Sequence, residues 1–122
     1  MLLDSNIIIY AAQSEYSELR QFIKANKPSV SLVSYVETLG FHRLSTEEKQ
    51  FLEEFFAASN VLPITDKIAH NAVHLRQQDR MSLGDAFIAG TALVYDLTLI
   101  THNVDDFEWI SGIKLFDPII QT

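Results

Sequence analysis

Asp4, Glu37 and Asp85 share one placement in the chain. Each sits where a helix is expected to begin, and each heads an apolar stripe. Forward from Asp4 by helical steps come Ile7, Ile8 and Ala11. Glu37 leads to Gly40, Phe41 and Leu44, and Asp85 to Ile88, Ala89 and Ala92. A carboxylate in a first helical turn ordinarily caps amides or answers the helix dipole, and for each acid alone that is the simpler account. A cap, however, can face water. An ionised carboxylate on an apolar face needs compensation, and neighbouring carboxylates repel and hold protons more tightly. A divalent cation answers both demands. With oxygen donors and no cysteine in the chain, the set selects Mg2+ or Mn2+ over zinc. Mg2+ held by a few carboxylates, water and phosphate is the usual arrangement for phosphoryl transfer.

The elements that would position these acids alternate in type. Met1–Leu3 reads as a strand and Asp4–Asn6 as the opening of a helix. A second helix is expected over Ser14–Asn26, closed by Asn26-Lys27-Pro28. A strand follows at Val30–Val33, then a helix opened by Ser34 with Glu37 at the capping-box spacing. Ser45 or Thr46 opens TEEKQFLEEFFAAS. Its acids lie in the first turn, and Phe51, Leu52, Phe55 and Phe56 form a face wide enough to serve core and interface together. Val61–Ile64 is a strand, Asp66–Gln78 a helix and Ser82–Tyr95 another. Leu97–Thr101 is the cleanest strand, followed by a polar turn over His102–Phe107 and a last strand at Lys114–Phe116. Strands alternating with helices predict a three-layer α/β/α fold with a mainly parallel central sheet of four to five short strands. Ligands of such sheets bind beyond the carboxyl ends of the strands. Asp4, Glu37 and the 102–106 loop belong to that edge, and the depth of its stripe brings Asp85 to them.

Bulk properties narrow the class. A chain of 122 residues, 48% hydrophobic and 20% charged, suits one domain over 1–122 with its own core. No apolar run nears the roughly 20 residues that span a bilayer. The opening MLLDSNIII lacks a basic region and carries an acid at position 4, which argues against a signal peptide. With no cysteine, a reducing, cytoplasmic setting is expected. The net charge of −7 lacks the whole-chain basic footprint of nucleic-acid binders, so such a substrate would need locally recruited cations. His70 and His74 stand at i, i+4, but HNAVH lacks the glutamate of a metalloprotease motif and reads as a solvated face. An aspartyl-phosphate phosphatase would want an acid where Asn6 stands.

LLDSNIII at the start, SYVETLG at 34–40, SLGDAFIAGTA at 82–92 and THNVDDF at 101–107 together resemble the PIN-domain family. Within it the chain is most similar to the compact VapC-type toxins of bacterial toxin–antitoxin pairs. The resemblance runs through the whole chain in order. It implies a Mg2+- or Mn2+-dependent endoribonuclease that is homodimeric and inhibited by a cognate antitoxin protein. Asp4, Glu37 and Asp85 fall on the family's three principal acids. At the fourth position, where many relatives carry an acid, this chain has Asn103, with Asp105 and Asp106 just after. Asp106 is the expected source of the missing carboxylate.

On that basis Asp4 and Asp85 are expected to bind the metal, with Glu37 completing the site or orienting the attacking water. Asn103 and Asp106 lie opposite. Ser5 and Thr101 are expected to hydrogen-bond the carboxylates. Arg43, Arg80, Lys27 and His102 are the cations nearest the site edge and candidates for RNA phosphates. A second reading stays open at this point: a non-catalytic PIN-like module whose acidic groove receives a basic partner segment.

Overall fold

A computed structural model describes residues 1–119; the last three residues of the expected 1–122 domain lie outside the described residues. Five short strands form one sheet: β1 (Leu2–Leu3), β2 (Ser29–Ser31), β3 (Val61–Leu62), β4 (Thr98–Ile100) and β5 (Lys114–Phe116). Their order is β3-β2-β1-β4-β5 and every pairing is parallel. Six helices flank it: α1 (Ser5–Ala11), α2 (Ser17–Asn26), α3 (Leu32–Leu39), α4 (Thr46–Ala58), α5 (Asp66–Gln78) and α6 (Leu83–Tyr95). The expected α/β/α architecture is present, with a wholly parallel sheet.

Strand side chains alternate between two cores, as the two-residue period of a strand requires. Leu3, Val30 and Ile100 pack with Ile7, Ile8 and Ala11 of α1, Leu19 of α2, and Leu52 and Phe56 of α4. Leu2 and Leu99 point the other way, against Leu75 of α5 and Ile88, Ala89 and Ala92 of α6. Helices thus cover both faces, which is why the strands read as short apolar runs.

The wide face of α4 divides. Leu52 and Phe56 are buried in the core, whereas Phe51 and Phe55 stack on each other and are partly covered. The Arg20 guanidinium lies 4.3 Å over the Phe51 ring, a cation–π contact. His70 and His74 are exposed, as the polar reading of that face expects.

Three local readings need correction. The strand before α3 ends at Ser31, and Ser31, rather than Ser34, caps the helix by accepting from the Val33 amide at 3.1 Å. Glu37 is therefore the sixth residue of α3 and not in its first turn. Its apolar stripe does not form either: α3 ends at Leu39, and Phe41 is half exposed beyond it. The buried face of α3 is polar, made by Ser34 and Thr38. Finally, α2 begins at Ser17, three residues later than its composition suggested.

These burials separate two phenylalanines of the same neighbourhood. Phe56→Ala is expected to destabilise the fold by about 3–5 kcal/mol, and Phe41→Ala by less than about 0.5 kcal/mol. Urea-unfolding midpoints of the two variants would check this.

Candidate active site

In the order β3-β2-β1-β4-β5 the chain leaves β1 toward one side and returns to its other side with β4. The crevice beyond the carboxyl ends of β1 and β4 is thus the topological switch point, where open parallel sheets bind ligands. Asp4 is the first residue past β1 and Thr101 the first past β4. Both still belong to the ladder: the Asp4 amide donates to the Ile100 carbonyl at 2.9 Å and the Thr101 amide to the Phe116 carbonyl at 3.0 Å. Their backbones are placed by the sheet itself, not by a loop.

Asp4 stands at the N-cap of α1, yet its side chain caps nothing there. It turns inward, is 2% exposed, and accepts the Thr101 hydroxyl at Oδ2 at 2.8 Å. This removes the cap as the explanation of Asp4. Thr101 Oγ1 in turn accepts the Asn103 amide at 3.0 Å. Asn103 thus acts on the site through its backbone, at the head of the 3-10 turn Val104–Asp106. Asp85 lies in the first turn of α6, whose N-cap Ser82 accepts the Asp85 amide at 3.1 Å. Its expected stripe is present: Ile88, Ala89 and Ala92 are buried. Glu37 reaches the site although its residue is largely exposed. Ser5 Oγ lies 2.7 Å from Glu37 Oε1 and 2.9 Å from Ser34 Oγ.

Two of the acids, Asp4 and Asp85, are pushed above the ordinary carboxylate range. Burial is the main cause that raises the Asp4 pKa from 3.8 to about 6. The Thr101 hydroxyl and the Ser5 amide oppose the rise, while the charges of Asp85 and Glu37 add to it. Asp85 is also pushed up, first by burial and then by Asp106, against the Ser82 hydroxyl, with Glu37 adding further. Asp106, on the turn after β4, is thus close enough to Asp85 for its charge to act on it. Among the described residues no lysine or arginine pairs with any of the four. Their charge has no cationic partner among the described residues.

The donor set is carboxylate and hydroxyl oxygen throughout, which suits a hard divalent cation completed by water and phosphate. Among the described residues, no three His, Cys, Asp or Glu side chains close to metal-holding distance by themselves. A cation held here would need other oxygen ligands beside the acids. That is the way Mg2+ is ordinarily held, by one or two carboxylates with several waters, so the residues fit the ion.

The cations are less uniform than expected. Arg43, in the connection after α3, and Arg80, just before Ser82, are both exposed and form no ion pair among the described residues. His102 instead meets Asp117, with Nδ1 2.9 Å from Oδ2, and packs edge-on to Tyr10. Lys27 follows α2 and directly precedes β2, so it lies at the amino edge of the sheet, opposite the site. Sequence reasoning placed it wrongly because loop order alone does not say which edge a loop serves. It also gave no site role to Ser34, Gly84 or Asp117. A glycine inside the first turn of a good helix was the one available signal, since it is costly there.

A parallel sheet with an acidic centre at its switch point defines the class of protein. A family model for the PIN domain matches residues 1–112, and the chain belongs to the PIN-domain family. It is 32% identical to Ribonuclease VapC10 of Mycobacterium tuberculosis, over 93% of this chain and 90% of that protein. Among solved structures it is similar to a toxin–antitoxin complex from Klebsiella pneumoniae, with 31% identity, 97% of each chain covered and a TM-score of 0.79. VapBC-1 from nontypeable Haemophilus influenzae matches at 26% identity over 96% of each chain, with a TM-score of 0.77.

Because the Asp4 pKa is higher in the fold than its ordinary 3.8, the folded chain binds more protons than the unfolded one between about pH 4 and pH 6. Stability should fall as pH rises through that window, and the cost, about 3 kcal/mol, is complete above it. Asp4→Asn keeps an acceptor for Thr101 and removes the charge. With chelator present it should be more stable than the parent at pH 8 and indistinguishable from it below pH 4, as read by denaturant midpoints across pH.

Proposed function

We propose that the chain is a single PIN-like domain acting as a Mg2+- or Mn2+-dependent endoribonuclease, the toxin of a toxin–antitoxin pair. The observation that carries this reading is the buried Asp4 at the switch point, without a cationic partner among the described residues, with the charges of Asp85 and Glu37 acting on it and that of Asp106 on Asp85. Such a cluster costs stability and is suited to a cation that arrives with a phosphate. The kinship with Ribonuclease VapC10, and with the toxin–antitoxin complex from Klebsiella pneumoniae, supports RNA as substrate and an antitoxin as partner. A homodimer and a cytoplasmic setting complete the proposal. No helix among the described residues is long and apolar enough to cross a membrane.

Asp4, Asp85 and Glu37 are the residues that would hold the metal. When bound, the metal supplies neutralisation of charge on the scissile phosphate and a lowered pKa for the attacking water. The chain's own residues supply geometry. Thr101 fixes the Asp4 carboxylate by donating to it, and the Asn103 amide fixes Thr101. Ser5 holds Glu37 at the rim, where its free oxygen can accept a hydrogen bond from water and orient it. Asp106 closes the side opposite Asp85. In-line attack by water breaks the bond to the 3′ oxygen and leaves a 5′-phosphate and a 3′-hydroxyl. Arg43 and Arg80 are exposed, and either can meet backbone phosphates beside the acids.

Purified chain with Mn2+ or Mg2+ should cleave RNA. Asp4→Asn and Asp85→Asn should each lower the rate by at least about 1,000-fold, a drop worth about 4 kcal/mol of barrier. Mn2+ at 100 times its dissociation constant should stabilise the parent by about 2.7 kcal/mol and the Asp4→Asn variant by much less. Uncut RNA, with growth arrest that persists in Asp85→Asn cells, would instead favour the non-catalytic acidic groove.

A further inference from the structure

We propose that Ser34 and Gly84 are positioning residues that hold the Glu37 carboxylate in its working place, an inference that rests on the nuclease reading of the site. Two independent observations meet at this carboxylate.

The first is proton bookkeeping on Ser5. Its Oγ lies within hydrogen-bond distance of both Glu37 Oε1, at 2.7 Å, and Ser34 Oγ, at 2.9 Å. A hydroxyl carries one proton. The charged carboxylate is the stronger acceptor, so Ser5 donates to Glu37 and the Ser34 hydroxyl donates to Ser5. Ser34 is fully buried in the first turn of α3, and its own carbonyl accepts the Thr38 hydroxyl at 2.7 Å. Its hydroxyl is no helix cap, since Ser31 has that role. A buried serine in the first turn of α3, within hydrogen-bond distance of Ser5 on α1, directs the Ser5 proton toward the acid. The same two-step wiring serves Asp4: the Asn103 amide donates to Thr101, and Thr101 donates to the carboxylate.

The second observation is the space at Gly84. A Cβ built there would collide with Glu37 Oε2 and would come 2.8 Å from Cδ and 3.1 Å from Oε1. The Glu37 carboxylate occupies the volume of the missing methyl group. Nothing in the backbone asks for glycine, because positive φ among the glycines is confined to Gly112. Glycine is otherwise a poor choice inside a helix. Gly84 is thus a berth on α6, next to Asp85, into which α3 delivers Glu37 while Ser5 holds it from α1.

The test separates position from folding. Gly84→Ala should leave the melting temperature unchanged or raise it, since only a flexible carboxylate must move and alanine favours the helix. It should lower kcat for RNA cleavage in Mn2+ about 10- to 100-fold, with KM within twofold. Ser34→Ala should lower kcat about tenfold with a similar split. Calorimetric titration with Mn2+ alone should show affinity weakened about tenfold in both variants, a readout that does not need turnover. Wild-type kcat and Mn2+ affinity in Gly84→Ala and Ser34→Ala would overturn the inference, provided Asp85→Asn is inactive in the same assay. If the parent chain itself cleaves nothing, the nuclease reading fails, and the Mn2+ titrations still decide whether these two residues position Glu37.

Discussion

The hydrogen bond from Thr101 to Asp4 joins residues 97 positions apart in the chain. It can form only if β1 and β4 lie side by side and in register, Leu3 against Ile100. The long crossover that carries β4 back to the far side of β1 is therefore a condition of the site as well as of the fold. Both residues keep ladder hydrogen bonds through their backbone amides. Their side chains inherit the rigidity of the sheet, and a site on regular elements holds its geometry better than one on loops. The remaining acids are brought to this pair by helices: α3 carries Glu37 and α6 carries Asp85, while the 3-10 turn after β4 carries Asp106.

Those helices work against an electrostatic cost. Burial lifts Asp4, and the charges of Asp85 and Glu37 lift it further. Asp85 responds in the same direction to burial and to Asp106. A protein selected only for stability would have placed a lysine or arginine among them, or an apolar residue in their stead. Two of the chain's cations have partners elsewhere. Arg20 is spent on the Ala11 carbonyl and the Phe51 ring, and Lys114 on Asp96. Among the described residues this carboxylate cluster at the switch point has no cationic side-chain partner.

Hydroxyl groups govern the direction in which the carboxylates point. Thr101 and Ser5 each donate to an acid, and in the proposed arrangement each accepts a hydrogen bond from a second donor behind it. The supporting donors are unlike in kind, a backbone amide for Thr101 and a buried side chain for Ser5. Asn103 stands where a fourth acid was sought, and its visible contribution is made through its backbone. The charge on that side that acts on Asp85 is that of Asp106.

The order of strands and helices was legible from residue patterns, because a buried parallel sheet demands short apolar runs and an amphipathic helix demands its stripe. Asp85 was legible too: Ile88, Ala89 and Ala92 repeat at helical spacing and are buried as the period requires. Glu37 was found for a wrong local reason. Its stripe does not exist, since α3 stops at Leu39 before Phe41, and it reaches the site through its side chain. Which edge a loop serves escaped the sequence, as Lys27 shows, and so did the roles of Ser34 and Gly84. Periodicity is a property of one segment, and residue types constrain chemistry wherever they are placed. Which serine faces which acid, and which glycine leaves room for a neighbour's carboxylate, depends on how α1, α3 and α6 cross in space. Only the packed structure decides that.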